Sequence, residues 1–278
     1  GGLIAAAAGC TGRKQVSSEY SGLESKVFEP IKIGNITIPN RIVFPPIGTG
    51  YADGGFVTQR LIDFHKCVAE GGAGLTIVGT TSVRKDVKIV PNLPMLDDDR
   101  YIEGFRQLFE TIKQNGSIAC IQLFHGGRQM PSKFIGVQPV APSAIPCPVI
   151  NETPRELSIN EIEELVGCFA EAAYRAKTAG ADMIELHGAH GYLICGFLSP
   201  FSNKRTDKYG GSIENRTRFI REILEETRKK VGGNYPICCR ISADEFVDGG
   251  LTIEESKDIA QILVDSSVDV ISVSAGVV

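Results

Sequence analysis

Apolar residues fall along this chain in short unbroken runs, each followed by a longer stretch in which they recur every three or four positions. The runs are Arg41-Ile-Val-Phe44, Leu75-Thr-Ile-Val78, Ser117-Ile-Ala-Cys-Ile-Gln-Leu123, Asp182-Met-Ile-Glu-Leu186, Pro236-Ile-Cys-Cys-Arg-Ile241 and Asp269-Val-Ile-Ser-Val273. They read as strands. The stretches near 58–70, 101–115, 159–179, 213–230 and 253–264 read as helices. Ser158 and Glu161 form a capping-box pattern at the start of the third, and Gly180 is placed to stop it. Nearly continuous apolar strands are buried on both faces, which is the mark of a parallel sheet. The pattern is therefore α/β, either a doubly wound sheet or a (β/α)8 barrel.

Three features favour the TIM barrel. No G-x-G-x-x-G follows the first strand, as a dinucleotide fold requires. Polar, reactive residues cluster just after strand ends, where barrel active sites lie. The loops after the first four strands are long and irregular. A barrel closes with eight strands, so the expectation is a chain carrying about six of eight βα units. Residues 1–22 are expected to form a leader, and 23–278 a barrel domain whose last units lie beyond the chain.

Composition narrows the function classes. The 278 residues are 42% hydrophobic and 22% charged, with 31 Gly, 14 Pro and no Trp, which is globular usage. The net charge is −4, and no basic cluster marks a nucleic-acid face. No run of about 18 apolar residues exists, so no transmembrane span is expected. The opening GGLIAAAAGC has two readings: the tail of an export signal, in which Ala7-Ala8-Gly9-Cys10 resembles a lipobox with a lipid anchor at Cys10, or an Ala-rich leader. Localisation stays open between export and the cytoplasm. The eight cysteines form no C-x-x-C pair and mostly sit in apolar contexts, so buried free thiols are expected.

Candidate chemistry lies at the strand exits. Gln122-Leu-Phe-His125-Gly-Gly-Arg128 ends the third strand and His187-Gly-Ala-His190-Gly-Tyr192 follows the fourth, while Arg240 ends the fifth. Three of the four histidines lie there. The segments Asn40–Pro46, Ile121–Arg128 and above all 187–219, with its Tyr-Gly-Gly-Ser and Asn-Arg, resemble the old yellow enzyme family, over about 28–276. Within it, PIKIGNITIPNRIVF and AEGGAGLTIVG resemble the larger bacterial enoate and 2,4-dienoyl-CoA reductase branch.

The resemblance implies FMN on a TIM barrel, NAD(P)H as reductant and an activated alkene or enone as small-molecule substrate. An iron–sulfur cluster would belong to a region further downstream, and a homo-oligomer is compatible with the family. Gln122 is expected at the pyrimidine edge of the flavin and Arg240 near its N1 and C2 carbonyl. Pro45, Pro46, Ile47 and Gly48 after the first strand, and Gly79 and Thr80 after the second, are expected to line it. Gly48 brings no side chain to the flavin where many members have one, leaving Thr49 as the substitute. His187 and His190 are expected to hold the substrate carbonyl oxygen and Tyr192 to donate a proton. Phosphate is expected to be gripped by loops after strands seven and eight, outside this chain. Lys204 and Arg205 read as solvated.

Two rivals stand beside this reading. One is a metal-dependent barrel enzyme using the His187/His190 pair. It is disfavoured because Glu185 lies within its strand and no third outward ligand is evident, so no metal is expected. The other is a flavoprotein that transfers electrons without reducing alkenes.

Overall fold

The computed structural model describes residues 26–85 and 92–277. The leader and Cys10 lie outside the described residues. A short antiparallel hairpin, β1 (Ile31–Ile33) and β2 (Ile36–Ile38), comes first. It is followed by β3 (Val43–Phe44), α1 (Gln59–Glu70), β4 (Leu75–Ser82), α2 (Ile102–Gln114), β5 (Ile118–Phe124) and the one-turn α3 (Ser132–Ile135). Next come β6 (Val140–Ala141), β7 (Arg155–Glu156), α4 (Ile159–Ala179), β8 (Met183–Gly188) and α5 (Leu193–Leu198). The chain continues through α6 (Ile213–Arg216), α7 (Arg218–Val231), β9 (Ile237–Ser242), α8 (Ile253–Asp265) and β10 (Val270–Ser274).

Six strands form one sheet in the order β10-β9-β8-β5-β4-β3. Every neighbouring pair is parallel. These are the six expected strands, in barrel order, so the chain carries six of the eight βα units of a TIM barrel. Several helices start where a side chain satisfies their first N–H groups. Thr58 caps α1, Thr252 caps α8, and Ser158 with Glu161 closes a capping box on α4. Gly180 ends α4 in the left-handed conformation, with φ 97°.

Alternation along the strands divides the side chains between two cores. Ile121, Leu123, Ile184, Leu186, Cys239 and Ile241 pack outward with Phe105, Phe109, Leu165, Phe169, Phe219 and Ile223 of the helices. Leu75, Ile77, Cys120, Met183 and Cys238 form a second, smaller cluster on the inner face at the strands' N-terminal ends. The hairpin seals that end, with Ile38 buried and Ile31, Ile33 and Ile36 against the same cluster.

Four details differ from the sequence reading. The first barrel strand is the two-residue Val43–Phe44 rather than 41–44. The helix near 213–230 is two helices meeting at Thr217. Among the described cysteines, Cys67 is exposed and Cys168 half-buried, while the other five are buried. Arg205 is buried, not solvated: its guanidinium donates to the carbonyls of Pro142 (2.9 Å) and Leu157 (2.7 Å) and pairs with Asp207 (2.6 Å). Its exposed neighbour Lys204 is where the sequence put it.

Candidate active site

On the inner face, polar residues appear beyond the apolar ones at the strands' N-terminal ends. On β5 they run Cys120, Gln122, Phe124; on β8 Met183, Glu185, His187; on β9 Cys238, Arg240, Ser242. Gln122 and Glu185 are register partners and fully buried. Gln122 Nε2 donates to Glu185 Oε1 at 2.7 Å, and Cys238 Sγ donates to the other carboxylate oxygen at 3.3 Å. Burial raises the Glu185 pKa above the usual carboxylate range. Two polar atoms here are buried without a hydrogen-bond partner: Gln122 Oε1 and Arg240 Nε. An acceptor on β5 and a cationic donor on β9, left open on either side of β8, suit the polar edge of a planar heterocycle such as the flavin's pyrimidine ring.

The backbone beside this layer is built for close approach. Gly48 and Gly79 form a bridge, and a Cβ on Gly79 would lie 2.3 Å from Pro46 Cβ. Pro45, Ile47 and Gly48 are exposed and Pro46 half-buried after β3; Gly79 is buried and Thr80 half-buried within β4. The Thr49 hydroxyl accepts the Tyr51 N–H at 3.3 Å.

One layer further out, His187 is buried on β8 with its Nδ1 accepting the Ala189 N–H at 3.4 Å. His190 follows in the left-handed backbone region, with φ 59°. That conformation is costly for a non-glycine residue and is held on both sides: His190 N donates to Ser242 Oγ at 3.0 Å, and its carbonyl accepts Gln129 Nε2 at 2.6 Å. Gly191 continues the turn at φ 67°, where a Cβ would meet the Val277 carbonyl oxygen at 2.1 Å. The two imidazole rings end 5.2 Å apart and nearly perpendicular, with the Tyr192 ring 4.9 Å from His187. Phe124, Leu93 and Met130 pack behind Tyr192.

Burial lowers the pKa of both histidines, and the nearby Arg240 charge adds to the effect. For His187 the shift is large and the His190 ring also contributes. Both are neutral at pH 7. Burial raises the Tyr192 pKa, so its phenol keeps its proton. His125 is buried and lowered to about 3, and its Nδ1 accepts the Gly127 N–H. Arg128 is buried, with Nη1 3.3 Å from the Pro146 carbonyl oxygen and the guanidinium over the Phe201 ring. Both residues brace the loop after β5.

The structure thus brings Gln122, Arg240, His187, His190 and Tyr192 to one end of the sheet, with Pro46, Gly48, Gly79 and Thr80 alongside. Arg240 makes no ion pair with Asp244 or Glu245. Its Nη2 donates to Ser274 Oγ at 3.3 Å, whereas Glu245 accepts from Ser199 Oγ and the Leu251 N–H. The sequence reading did not pick out Glu185 as a flavin-layer residue, nor Gln129, Ser242 and Ser274 as contacts of His190. Among the described residues no group of three His, Cys, Asp or Glu is arranged to hold a metal.

Residues 26–277 match the model of the NADH:flavin oxidoreductase / NADH oxidase family, and the chain belongs to that family. It is 50% identical over 254 residues to a protein named NADH oxidase from Thermoanaerobacter brockii, covering 90% of this chain and 39% of that protein. Among solved structures, a 2-naphthoyl-CoA reductase superposes with a TM-score of 0.88 at 32% identity, covering 90% of this chain and 40% of that one. The old yellow enzyme homologue from Zymomonas mobilis superposes with a TM-score of 0.81 at 28% identity, covering 90% and 73%. The chain spans about two fifths of the first two of these proteins.

Proposed function

We propose that this chain forms the flavin-edge and substrate-holding part of an FMN-dependent oxidoreductase that passes hydride from NAD(P)H, by way of the flavin, to an activated alkene. The observation that carries the reading is the juxtaposition of two layers. The open acceptor of Gln122 lies level with Glu185, two residues before His187 on β8, and the open donor of Arg240 lies on β9 in register with His187 itself, beside the His187–His190–Tyr192 cluster.

When bound, FMN supplies the hydride carrier between nicotinamide and substrate. Gln122 and Arg240 would hold its polar edge, with Pro45, Pro46, Ile47, Gly48, Gly79 and Thr80 alongside. A fixed guanidinium there favours the reduced, anionic form of the cofactor. The other side chains act on the substrate. Neutral imidazoles offer N–H groups, and His187 and His190 would donate these to the substrate's carbonyl oxygen. Negative charge grows on that oxygen as hydride reaches the β carbon, and preorganised donors stabilise it most in the transition state. Tyr192, protonated at neutral pH, would deliver a proton to the α carbon. Phe124, Leu93 and Met130 pack against its ring.

Enones, enoates and dienoyl thioesters share the carbonyl-conjugated alkene this arrangement suits. The solved 2-naphthoyl-CoA reductase, described as a complex with 2-naphthoyl-CoA, offers the same conjugation in its own ligand. The test is anaerobic reduction of the FMN-loaded protein by NADH or NADPH, followed by mixing with 2-cyclohexenone. Prompt reoxidation with formation of the saturated ketone is expected. Reoxidation by quinones or partner proteins but by no enone would select the electron-transfer alternative.

A further inference from the structure

Ser274 stands at the end of β10 between two groups to which the sequence reading gave separate duties. Its Oγ lies 2.6 Å from His190 Nε2 and 3.3 Å from Arg240 Nη2. A guanidinium can only donate, so the Arg240 contact takes up a lone pair of the hydroxyl oxygen. The hydroxyl still has one proton to place. Of its two side-chain partners, only the imidazole nitrogen can accept it.

We propose that Ser274 is a positioning residue that sets the tautomer of His190: it accepts from Arg240 and donates its proton to His190 Nε2. The neutral ring then carries its own hydrogen on Nδ1. His187 is held in the opposite sense, because its Nδ1 accepts the Ala189 N–H and its hydrogen therefore sits on Nε2. The two rings offer donors from opposite nitrogens, and one hydroxyl ties the second of them to Arg240, the register partner of His187. His190 has little freedom to find this state otherwise, since its backbone N–H and carbonyl are pinned by Ser242 and Gln129.

This inference rests on the oxyanion-holding part of the proposed function, and its primary test does not need turnover. The protein has four histidines, so ¹⁵N-histidine NMR resolves each ring, with His190 identified by comparison with His190→Asn. The expected result is an Nδ1–H tautomer for His190 in the wild type, a shift toward Nε2–H in Ser274→Ala, and recovery of Nδ1–H in Ser274→Thr, which restores the hydroxyl. His187 should keep its Nε2–H signature throughout, which also reports that the variants fold. An Nε2–H tautomer in the wild type, or an unchanged His190 in Ser274→Ala, would overturn the proposal. In the FMN-loaded protein, Ser274→Ala should lower kcat/KM for enones by about tenfold and Ser274→Thr should restore it. Equal values for Ser274→Ala and wild type would also overturn it. If no form reduces enones while the tautomer shift is seen, the enone reading fails and the assignment of Ser274 stands.

Discussion

Gln122 and Glu185 face each other in register across β5 and β8, and the amide spends its donor on the carboxylate at 2.7 Å. Gln122 Oε1 is thereby left open. Under the proposed function, Glu185 would orient the amide that holds the flavin edge. Gln122→Ala should weaken FMN by about 1 kcal/mol, roughly fivefold in Kd. Glu185→Ala should weaken it in the same direction, because the amide loses the partner that orients it. Quenching of free FMN fluorescence on titration reads both values. Unchanged binding in Gln122→Ala would remove it from the flavin edge.

Tyr192→Phe keeps the ring that packs against His187 and Phe124 and deletes the proton. Alkene reduction should slow by about 100- to 10,000-fold, the range for general-acid catalysis. Flavin reduction by the nicotinamide should stay close to wild type. Stopped-flow measurement of the two half-reactions separates the effects. Equal enone rates in the two proteins would assign the proton to another donor.

Gly79→Ala tests the close approach of β4 to the chain after β3. The new methyl would sit 2.3 Å from Pro46 Cβ, too near to be absorbed without moving backbone. A destabilisation of about 1–3 kcal/mol is expected, read from denaturant melts. The same substitution at Gly48 meets its nearest neighbours at 3.8 Å and should be tolerated.

All four histidines have lowered pKa values in the fold, with burial the largest cause in each. The sign follows directly. In the unfolded chain a histidine takes up its proton near pH 6.5, whereas folded His125 stays neutral down to about pH 3. The unfolded state therefore binds more protons in this window, and stability falls as pH drops below about 6.5. His125 alone contributes up to about 1.4 kcal/mol per pH unit there. Replacing it with Gln should flatten the pH dependence of unfolding between about pH 6 and 4.

Much of this was legible in the sequence, for a physical reason. The barrel strands are short apolar runs broken by few polar residues, so they stood out, and α4 announced itself through Ser158, Glu161 and Gly180. The catalytic candidates were legible because they crowd the strand exits. The hairpin was not, since three residues per strand give no measurable alternation. Nor was α5: every one of its six residues is buried, so it shows no polar face and no helical period. Arg205 looked solvated because its neighbours in sequence are polar, while its carbonyl partners lie 48 and 63 residues away. Ser274 is hidden in the same way. A serine in a strand has no signature, and this one is defined by Arg240 and His190, at 34 and 84 residues' separation.

Glu185 and His187 lie on one strand, two residues apart and on the same face. The rise from the level of Glu185 and Gln122 to that of His187 is then a property of the β backbone, about 6.6 Å for two residues. No change of side-chain packing can stretch or shorten it in small steps. Under the proposed function, the height at which a substrate meets the flavin would come in steps of the β repeat, leaving variation in substrate to the loops around the mouth.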